Sequence, residues 1–264
     1  MDKVRVGIIG SKFAADFHCD SYSRNEHVEL KAVAAIDNLE AISQKWKIPA
    51  TYEKYQDLLN RPDIDLVSVC VPNFLHHDVV IAAAEAGKNI VCEKPLATTL
   101  EHARHMIEVC KKKGVKLMYA EDWCFAPPLK RIDAIIAEGS IGDVLYVKAK
   151  ETHCGTHSKF AKDKKMCGGG SFMHLGIHPI GYALYLLGKG TNAVVEVTGK
   201  MTGGNEKNFV HKDNSGEDFG MGMMRFQNGQ FAFVEGFADL AEESSPRLPY
   251  QRPHVGTLRR RLDP

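Results

Sequence analysis

The first 120 residues alternate short apolar runs with helix-like segments, and this alternation constrains the fold more than any other feature of the chain. Apolar runs predict strands at 4–9, 30–36, 66–71, 89–92 and 116–120. The intervening pattern predicts helices at 13–22, 40–46, 77–86 and 100–113. A capping box of Thr98 and Glu101 is expected to begin the last helix, and Gly114 to end it. This alternation predicts an α/β fold with a parallel, doubly wound Rossmann sheet that binds ligands at the carboxyl ends of its strands.

The second half of the chain has a different pattern. A helix at 128–138, a strand at 144–150, a glycine run at 168–170 and one helix at 171–187 are predicted. Strands follow at 194–198, 220–226 and 231–237, with a loop expected at 199–204. The last two strands are joined through Asn228-Gly229, which suits a tight hairpin turn. We therefore expect a nucleotide-binding domain at 1–121, an α+β domain with a largely antiparallel sheet at 122–239, and an atypical tail at 240–264.

Charge and cysteine usage narrow the range of partners. Thirty-four Lys and Arg against 33 Asp and Glu leave a net charge of +1, which gives no electrostatic reason to expect nucleic acid or an anionic membrane. The seven cysteines lack a C-x-x-C spacing, and their odd number argues against a disulfide framework. No apolar run approaches the roughly 20 residues that span a bilayer. A cytoplasmic protein with a small-molecule partner is expected.

The turn after the first predicted strand resembles a dinucleotide-binding turn. Residues 10–15 fit G-x-G-x-x-G/A at Gly10 and Ala15, with Ser11, Lys12 and Phe13 between them and Lys12 in place of the middle glycine. In such a turn, amides at the helix N-terminus face the pyrophosphate. The Lys12 ammonium could pair with a phosphate, or it could be a solvated side chain on a displaced loop.

An acidic residue follows at the end of the second predicted strand. Asp37 stands where a carboxylate would hold the ribose hydroxyls of NAD, and Asn38 rather than Arg comes next. The alternative is a helix-capping role for Asp37. Because a carboxylate repels a 2′-phosphate, the sequence predicts NAD as the preferred cofactor, with NADP possible.

Three further segments carry a family resemblance. They are Pro72 to His76, then Ala86 to Pro95 with its Glu93-Lys94-Pro95 element, then the triple glycine followed by a helix bearing His178. Together they resemble the glucose-fructose oxidoreductase and inositol dehydrogenase family, also called the MocA family. The resemblance covers residues from about 3 to about 240.

The resemblance implies an NAD- or NADP-dependent enzyme that oxidises or reduces secondary alcohols of sugars and cyclitols. It implies catalytic roles for Lys94 and His178. A neutral histidine can take the hydroxyl proton, and a lysine can stabilise alkoxide charge. It further implies that Lys94 contacts the cofactor, together with Pro72, Asn73, His76, Glu93 and Asp122. A homo-oligomer is usual in the family.

One departure from the family bears on the substrate. His174 occupies a position four residues before His178 where many relatives carry an acid, so a proton-handling or substrate-orienting carboxylate is expected to be missing. His157 matches a segment that often reaches the substrate pocket. Substrate contacts are thus expected from Lys94, His157, His174 and His178.

Two other classes of function stay open. His174 and His178 on one helix face, with His153, Cys154, His157 and Cys167 upstream, could hold a metal, although no standard ligand spacing fits and the prediction is that none is bound. A sensor that binds the cofactor without turnover is the second alternative.

The tail at 240–264 differs in composition from the rest of the chain. It holds five of the 11 arginines and four of the 11 prolines. We expect a truncated or frame-shifted end that leaves the second sheet with an exposed edge and makes the family's oligomer doubtful. The alternative is a short family member whose tail packs as an extended arm.

Overall fold

A computed structural model describes residues 3–153 and 158–238 of the chain. The chain divides into two compact units, the first ending at Ala120 and the second beginning at Glu121. They are called the first and second domains below.

The first domain is a six-stranded parallel sheet. The strands are β1 (Val4–Ile9), β2 (Val28–Ala34), β3 (Ala50–Tyr52), β4 (Leu66–Val69), β5 (Asn89–Glu93) and β6 (Leu117–Ala120). Their spatial order is β3, β2, β1, β4, β5 and β6. The helices are α1 (Phe13–Ser23), α2 (Leu39–Trp46), α3 (Tyr55–Leu59), α4 (His76–Glu85) and α5 (Leu100–Lys113). This doubly wound parallel sheet confirms the predicted fold class of the first half.

Helices cover both faces of this sheet, which explains why its strands are nearly continuous apolar runs. One core contains residues of β4, β5, α4 and α5, with Val67, Val69 and Ile90 fully buried. The other core lies under α1 and α2 and contains Val6 and Ile8, also fully buried. The strand ends and the turns that follow them are therefore the parts of this sheet expected to meet a ligand.

The structure corrects three local predictions in this domain. Strand β3 and helix α3 were not predicted, because runs of three and five residues carry too little periodicity. The N-cap of α5 is Thr99, whose side chain accepts a hydrogen bond from the His102 backbone N–H at 3.1 Å, so the cap predicted at Thr98 is wrong by one residue. Strand β2 ends at Ala34, and Ile36 beyond it is exposed. The predicted end of α5 is correct, since Gly114 adopts a left-handed φ of 69° there.

The second domain is an α+β unit, as expected. Its strands are β7 (Tyr146–His153), β8 (Val194–Met201), β9 (Phe219–Phe226) and β10 (Phe231–Ala238). Its helices are α6 (Pro127–Ala137), α7 (Lys164–Cys167), α8 (Ser171–His174) and α9 (Ile177–Leu187). The strand order is β7, β10, β9, β8, with antiparallel pairing except between β7 and β10, which run parallel.

Alternation along these strands separates two faces of the sheet. Val147 and Ala149 of β7 and Ala232 and Val234 of β10 are buried in one core with α9. The opposite face bears Phe233 and other side chains that line an open cavity of about 820 Å³. Phe233 is partly exposed on this face. The second domain therefore has one helix-covered face and one open face among the described residues.

Two predictions for this domain are wrong. The helix expected at 171–187 is two helices, α8 and α9, because Gly176 interrupts it and lies against β10, where a Cβ on Gly236 would be 2.7 Å from the Gly176 nitrogen. The segment 199–201, expected in a loop, belongs to β8. The predicted tail at 240–264 lies outside the described residues. No described helix is long and apolar enough to cross a membrane.

Candidate functional site

The turn after β1 requires a glycine. Gly10 has a φ of 126°, and a Cβ there would lie 2.3 Å from the carbonyl oxygen of Cys70 on the neighbouring β4 turn. Helix α1 begins at Phe13, and its N-cap Lys12 makes no side-chain capping hydrogen bond. Ala15 is fully buried against β1. The absence of a Cβ on Gly10 lets the backbone turn closely, and the start of α1 is free of a side-chain cap that would compete with an anion.

Lys12 and Asp37 form an ion pair across this turn. Lys12 Nζ lies 2.9 Å from Asp37 Oδ2, and Ser11 Oγ donates to Asp37 Oδ1 at 2.9 Å. The hydrogen bond from Lys12, followed by that from Ser11, lowers the pKa of Asp37. The N-cap of α2 is Asn38, at a left-handed φ of 48°, so Asp37 does not cap this helix. Lys12 is therefore not simply a solvated side chain. It pairs with Asp37, the acid expected to bind ribose, and in this arrangement it is not available to a phosphate.

The segments after β4 and β5 are joined through a buried histidine. The His76 ring is fully buried, with Nδ1 2.9 Å from the Pro95 carbonyl and Nε2 2.9 Å from the Val71 carbonyl. Burial lowers the pKa of His76, although both carbonyls favour the protonated ring. Pro72 is the N-cap of a short 3-10 helix at Asn73–Leu75, in which Asn73 is buried. His76 therefore fixes the Pro95 loop, which carries Lys94, against the turn that carries Pro72 and Asn73.

Glu93 belongs to a hydrogen-bond network that sequence reasoning missed. Glu93 Oε1 lies 3.0 Å from Nε2 of His18 on α1, and Ser68 Oγ lies 3.1 Å from His18 Nδ1. Tyr22 completes the network at 2.7 Å from Ser68. Burial disfavours the Glu93 carboxylate, but its contacts with His18 and the charge of Lys94 outweigh burial and lower its pKa. Glu93 Oε2 accepts the Lys94 backbone N–H at 3.1 Å, so this carboxylate fixes the backbone at Lys94.

In the second domain, His178 lies among carboxylates. It is in the first turn of α9, and its side chain is 8% exposed. Its Nδ1 is 2.9 Å from Glu121 Oε1 and 2.8 Å from Glu121 Oε2, and its Nε2 is 3.8 Å from Glu151 Oε2. Asp122 Oδ1 lies 3.5 Å from Nδ1, with its own side chain largely exposed. The Trp123 ring stacks on the imidazole with centroids 5.7 Å apart.

Local packing holds Glu121 in this position. Glu121 Oε1 accepts the backbone N–H of Trp123 at 3.0 Å. A Cβ on Gly181, one turn along α9 from His178, would lie 3.0 Å from Glu121 Cγ, so this glycine leaves room for the side chain. His174 does occupy the position four residues before His178, and Glu121, from a different part of the chain, is a carboxylate partner of His178 that the sequence did not reveal.

The triple glycine anchors α8 through a second residue that the sequence did not reveal. Gly170 N–H donates to Glu217 Oε1 at 2.9 Å, and Ser171 N–H donates to the Glu217 carbonyl at 2.6 Å. A Cβ on Gly170 would lie 2.0 Å from that carbonyl oxygen. A side chain at Gly170 would therefore separate the start of α8 from the segment before β9.

The remaining predicted residues are dispersed. His174 ends α8, on a different helix from His178, so the two do not share one helix face as expected. Cys167 is buried at the end of α7, and His153 ends β7. His157 and Cys154 lie outside the described residues. Among described residues, Glu121, Asp122 and His178 form a group that could hold a metal ion. Their possible metal-ligand atoms all lie within 4.8 Å of one another.

Fold and site together define the class of protein. A parallel sheet with a glycine turn, an acid after its second strand, and a second domain bearing a buried histidine–carboxylate pair are the parts of a nicotinamide-dependent oxidoreductase. The chain belongs to the GFO/IDH/MocA family: residues 4–121 match its oxidoreductase family domain with an NAD-binding Rossmann fold, and residues 129–249 match its C-terminal domain. The family resemblance of the sequence is thus confirmed.

Two of the relatives are named as dehydrogenases of a D-glucoside and of levoglucosan. D-glucoside 3-dehydrogenase of Escherichia coli (strain K12) is 30% identical over 243 residues, which cover 88% of this chain and 69% of that protein. Levoglucosan dehydrogenase of Pseudarthrobacter phenanthrenivorans is 29% identical over 267 residues, covering 89% of this chain and 67% of that protein. The chain therefore spans about two thirds of the length of these relatives.

Solved structures of the family share this fold. Levoglucosan dehydrogenase in complex with NADH and levoglucosan superposes with a TM-score of 0.79 at 26% identity, covering 90% of this chain and 68% of that one. Aldose-aldose oxidoreductase from Caulobacter crescentus, complexed with glycerol, gives a TM-score of 0.78 at 27% identity, covering 90% and 72%.

Proposed function

We propose that the protein transfers a hydride between NAD(P) and a secondary alcohol or ketone of a sugar, cyclitol or glycoside. The observation that carries this proposal is the buried His178, held at Nδ1 by the Glu121 carboxylate at 2.9 Å. The family and its sugar-acting relatives support it.

The residues of the first domain fit a dinucleotide. The cradle at Gly10, which a Cβ would fill, and the start of α1 suit a pyrophosphate near Ser11, Lys12 and Phe13. Asp37 and Asn38 are proposed to bind the adenosine ribose, and Pro72, Asn73 and His76 to support the nicotinamide end. The nicotinamide of the bound cofactor supplies the carbon that accepts or donates the hydride.

His178 is suited to take the hydroxyl proton. A carboxylate only accepts hydrogen bonds, so Glu121 favours the tautomer with hydrogen on Nδ1. The lone pair of Nε2 is then the base that accepts the proton of the substrate alcohol during oxidation, and the same nitrogen returns it during reduction. No metal is needed for this proton transfer.

Lys94 is proposed to stabilise the negative charge that develops on the alcohol oxygen. Glu93 and His18 fix the backbone that carries it, because Glu93 bridges the Lys94 N–H and the His18 ring. Asp122 is kept as a cofactor contact, and His157 and His174 as substrate contacts.

The test is a panel of inositols, aldoses and glycosides with NAD and NADP, followed by absorbance of the reduced cofactor. Turnover of at least one secondary alcohol is expected. Glu121→Gln should lower that turnover about 10- to 100-fold and displace its pH–rate profile, because an amide can donate to Nδ1 and favour the wrong tautomer. Tight NADH binding with no turnover across the panel would instead identify a sensor.

A further inference from the structure

His178 is surrounded by more negative charge than proton transfer requires. Glu121, Asp122 and Glu151 each place a carboxylate oxygen within 4 Å of a ring nitrogen of His178. Within residues 121–153 and 158–238, no lysine or arginine forms an ion pair with these carboxylates. The other side chain paired with them there is His153, whose Nε2 lies 3.4 Å from Glu151 Oε1.

Two oxygens of this group are also buried without a hydrogen-bond donor. Glu121 Oε2 and Glu151 Oε2 have no hydrogen-bond partner, and the Glu121 side chain is only 7% exposed. Glu121 Oε2 lies beside His178 Nδ1, but that nitrogen has one hydrogen to share between the two oxygens of the carboxylate. A buried carboxylate oxygen without a donor is costly, so a ligand group that brings a donor and a positive charge to Glu151 Oε2 would be stabilised there.

The position of Glu151 indicates where such a ligand group would bind. Since Nδ1 is occupied by Glu121, the reacting alcohol is expected at Nε2, and Glu151 Oε2 lies 3.8 Å from that nitrogen. From that position, a substituent on the carbon next to the reacting one could reach Glu151. A neutral hydroxyl there would supply one donor and no charge, whereas an ammonium would supply three donors and a positive charge.

We propose that the substrate is a vicinal amino alcohol, an amino sugar or aminocyclitol, whose protonated amine binds Glu151 within the negative field of Glu121 and Asp122. This inference rests on the proposed function, because it assigns the substrate class of the same site. Glu151 is then the residue that determines specificity.

The experiment compares kcat/KM for matched pairs with the NAD(P)-loaded protein: glucosamine against glucose, and an aminocyclitol against the inositol of the same configuration. The N-acetylated amino sugar serves as an uncharged analogue. We expect the amines to exceed their neutral and acetylated counterparts about tenfold or more, the effect of one hydrogen bond to a charged group. Glu151→Gln should abolish this preference. Glu235→Gln, on the open face of the same sheet, is the matched control and should keep it.

Equal or higher kcat/KM for the neutral partners, or a preference that survives Glu151→Gln, would overturn the inference. So would a stoichiometric divalent metal in the purified protein, released by EDTA with a loss of thermal stability, because it would supply the missing positive charge. If no alcohol is turned over, the proposed function fails separately. Calorimetric binding of glucosamine and glucose to the NADH-loaded protein then decides the ammonium site, with equal affinities refuting it.

Discussion

Replacing Asp37 by alanine should reverse the choice of cofactor. In the structure Asp37 holds Lys12 at 2.9 Å, and both side chains are well exposed, at 46% and 65%. An ion pair this exposed contributes only about 0–1 kcal/mol, so NAD can displace Lys12 at little cost. A hydrogen bond from the ribose to a charged carboxylate contributes about 1.5–3 kcal/mol.

The net loss of NADH binding in Asp37→Ala is therefore about 0.5–3 kcal/mol, which corresponds to roughly 2- to 150-fold in Kd. NADPH should respond in the opposite direction, because its 2′-phosphate no longer faces a carboxylate and Lys12 is released to pair with it. We expect NADPH affinity to rise about tenfold, reversing a wild-type preference for NADH.

Fluorescence titration of both reduced cofactors at about 0.15 M salt measures these affinities under normal screening. Asp20→Ala is the matched control, since it removes another exposed acid of the first domain, paired with Arg24. Lys12→Ala should leave NADH binding nearly unchanged and weaken NADPH binding. Unaltered NADH affinity in Asp37→Ala would refute the ribose role, and tighter NADPH binding by the wild type would show that Lys12 overrides Asp37.

Three further predictions concern catalysis and stability. Lys94→Ala and His178→Ala should each lower kcat about 100-fold or more while NADH binding stays intact, with His174→Ala costing less; wild-type rates in steady-state assays would contradict the proposed roles. Gly10→Ala should weaken NADH binding and lower the melting temperature, because a Cβ would lie 2.3 Å from a neighbouring carbonyl oxygen at a φ of 126°; an unchanged NADH titration would refute this. The Arg5 hydrogen bond lowers the pKa of Asp65 to about 2, below its unfolded value of about 4, so its stabilising contribution should be present above pH 4 and disappear as the pH falls towards 2. The free energy of unfolding, measured as the pH is lowered, should fall less between about pH 4 and pH 2 in Asp65→Asn than in the wild type.

Much of the first domain could be predicted from sequence because its strands are buried on both faces and appear as apolar runs. Strand β1 was predicted with its observed bounds, Val4–Ile9. Short elements such as β3 were missed, since three residues show no period. The parallel pairing of β7 with β10 could not be derived either, because register between distant strands depends on tertiary packing rather than on local pattern.

In the candidate site, too, some residues could be predicted from the sequence and others could not. Lys94 and His178 stand in or beside recognisable motifs, whereas Glu121 and Glu151 come together with His178 only through folding. One signal for Glu151 was present: it continues the inward alternation of Val147 and Ala149, and an acid on an apolar face is unusual. The strand prediction ended at residue 150, one position too early to reveal it.

The order of strands in the second domain has a consequence for synthesis on the ribosome. Strand β10 is the last described strand along the chain, yet it lies between β7 and β9. Phe231 pairs with Tyr146, so β7 has no β10 to pair with until the ribosome has added 85 further residues (231 minus 146). This takes roughly 4 to 17 s at about 5–20 residues per second. During that time Val147 and Ala149 have no strand to pack beside, whereas every strand of the first domain is complete by Ala120. The nascent second domain is thus the part of the chain that most needs protection from aggregation, and slowing translation before β10 should lower the yield of folded protein.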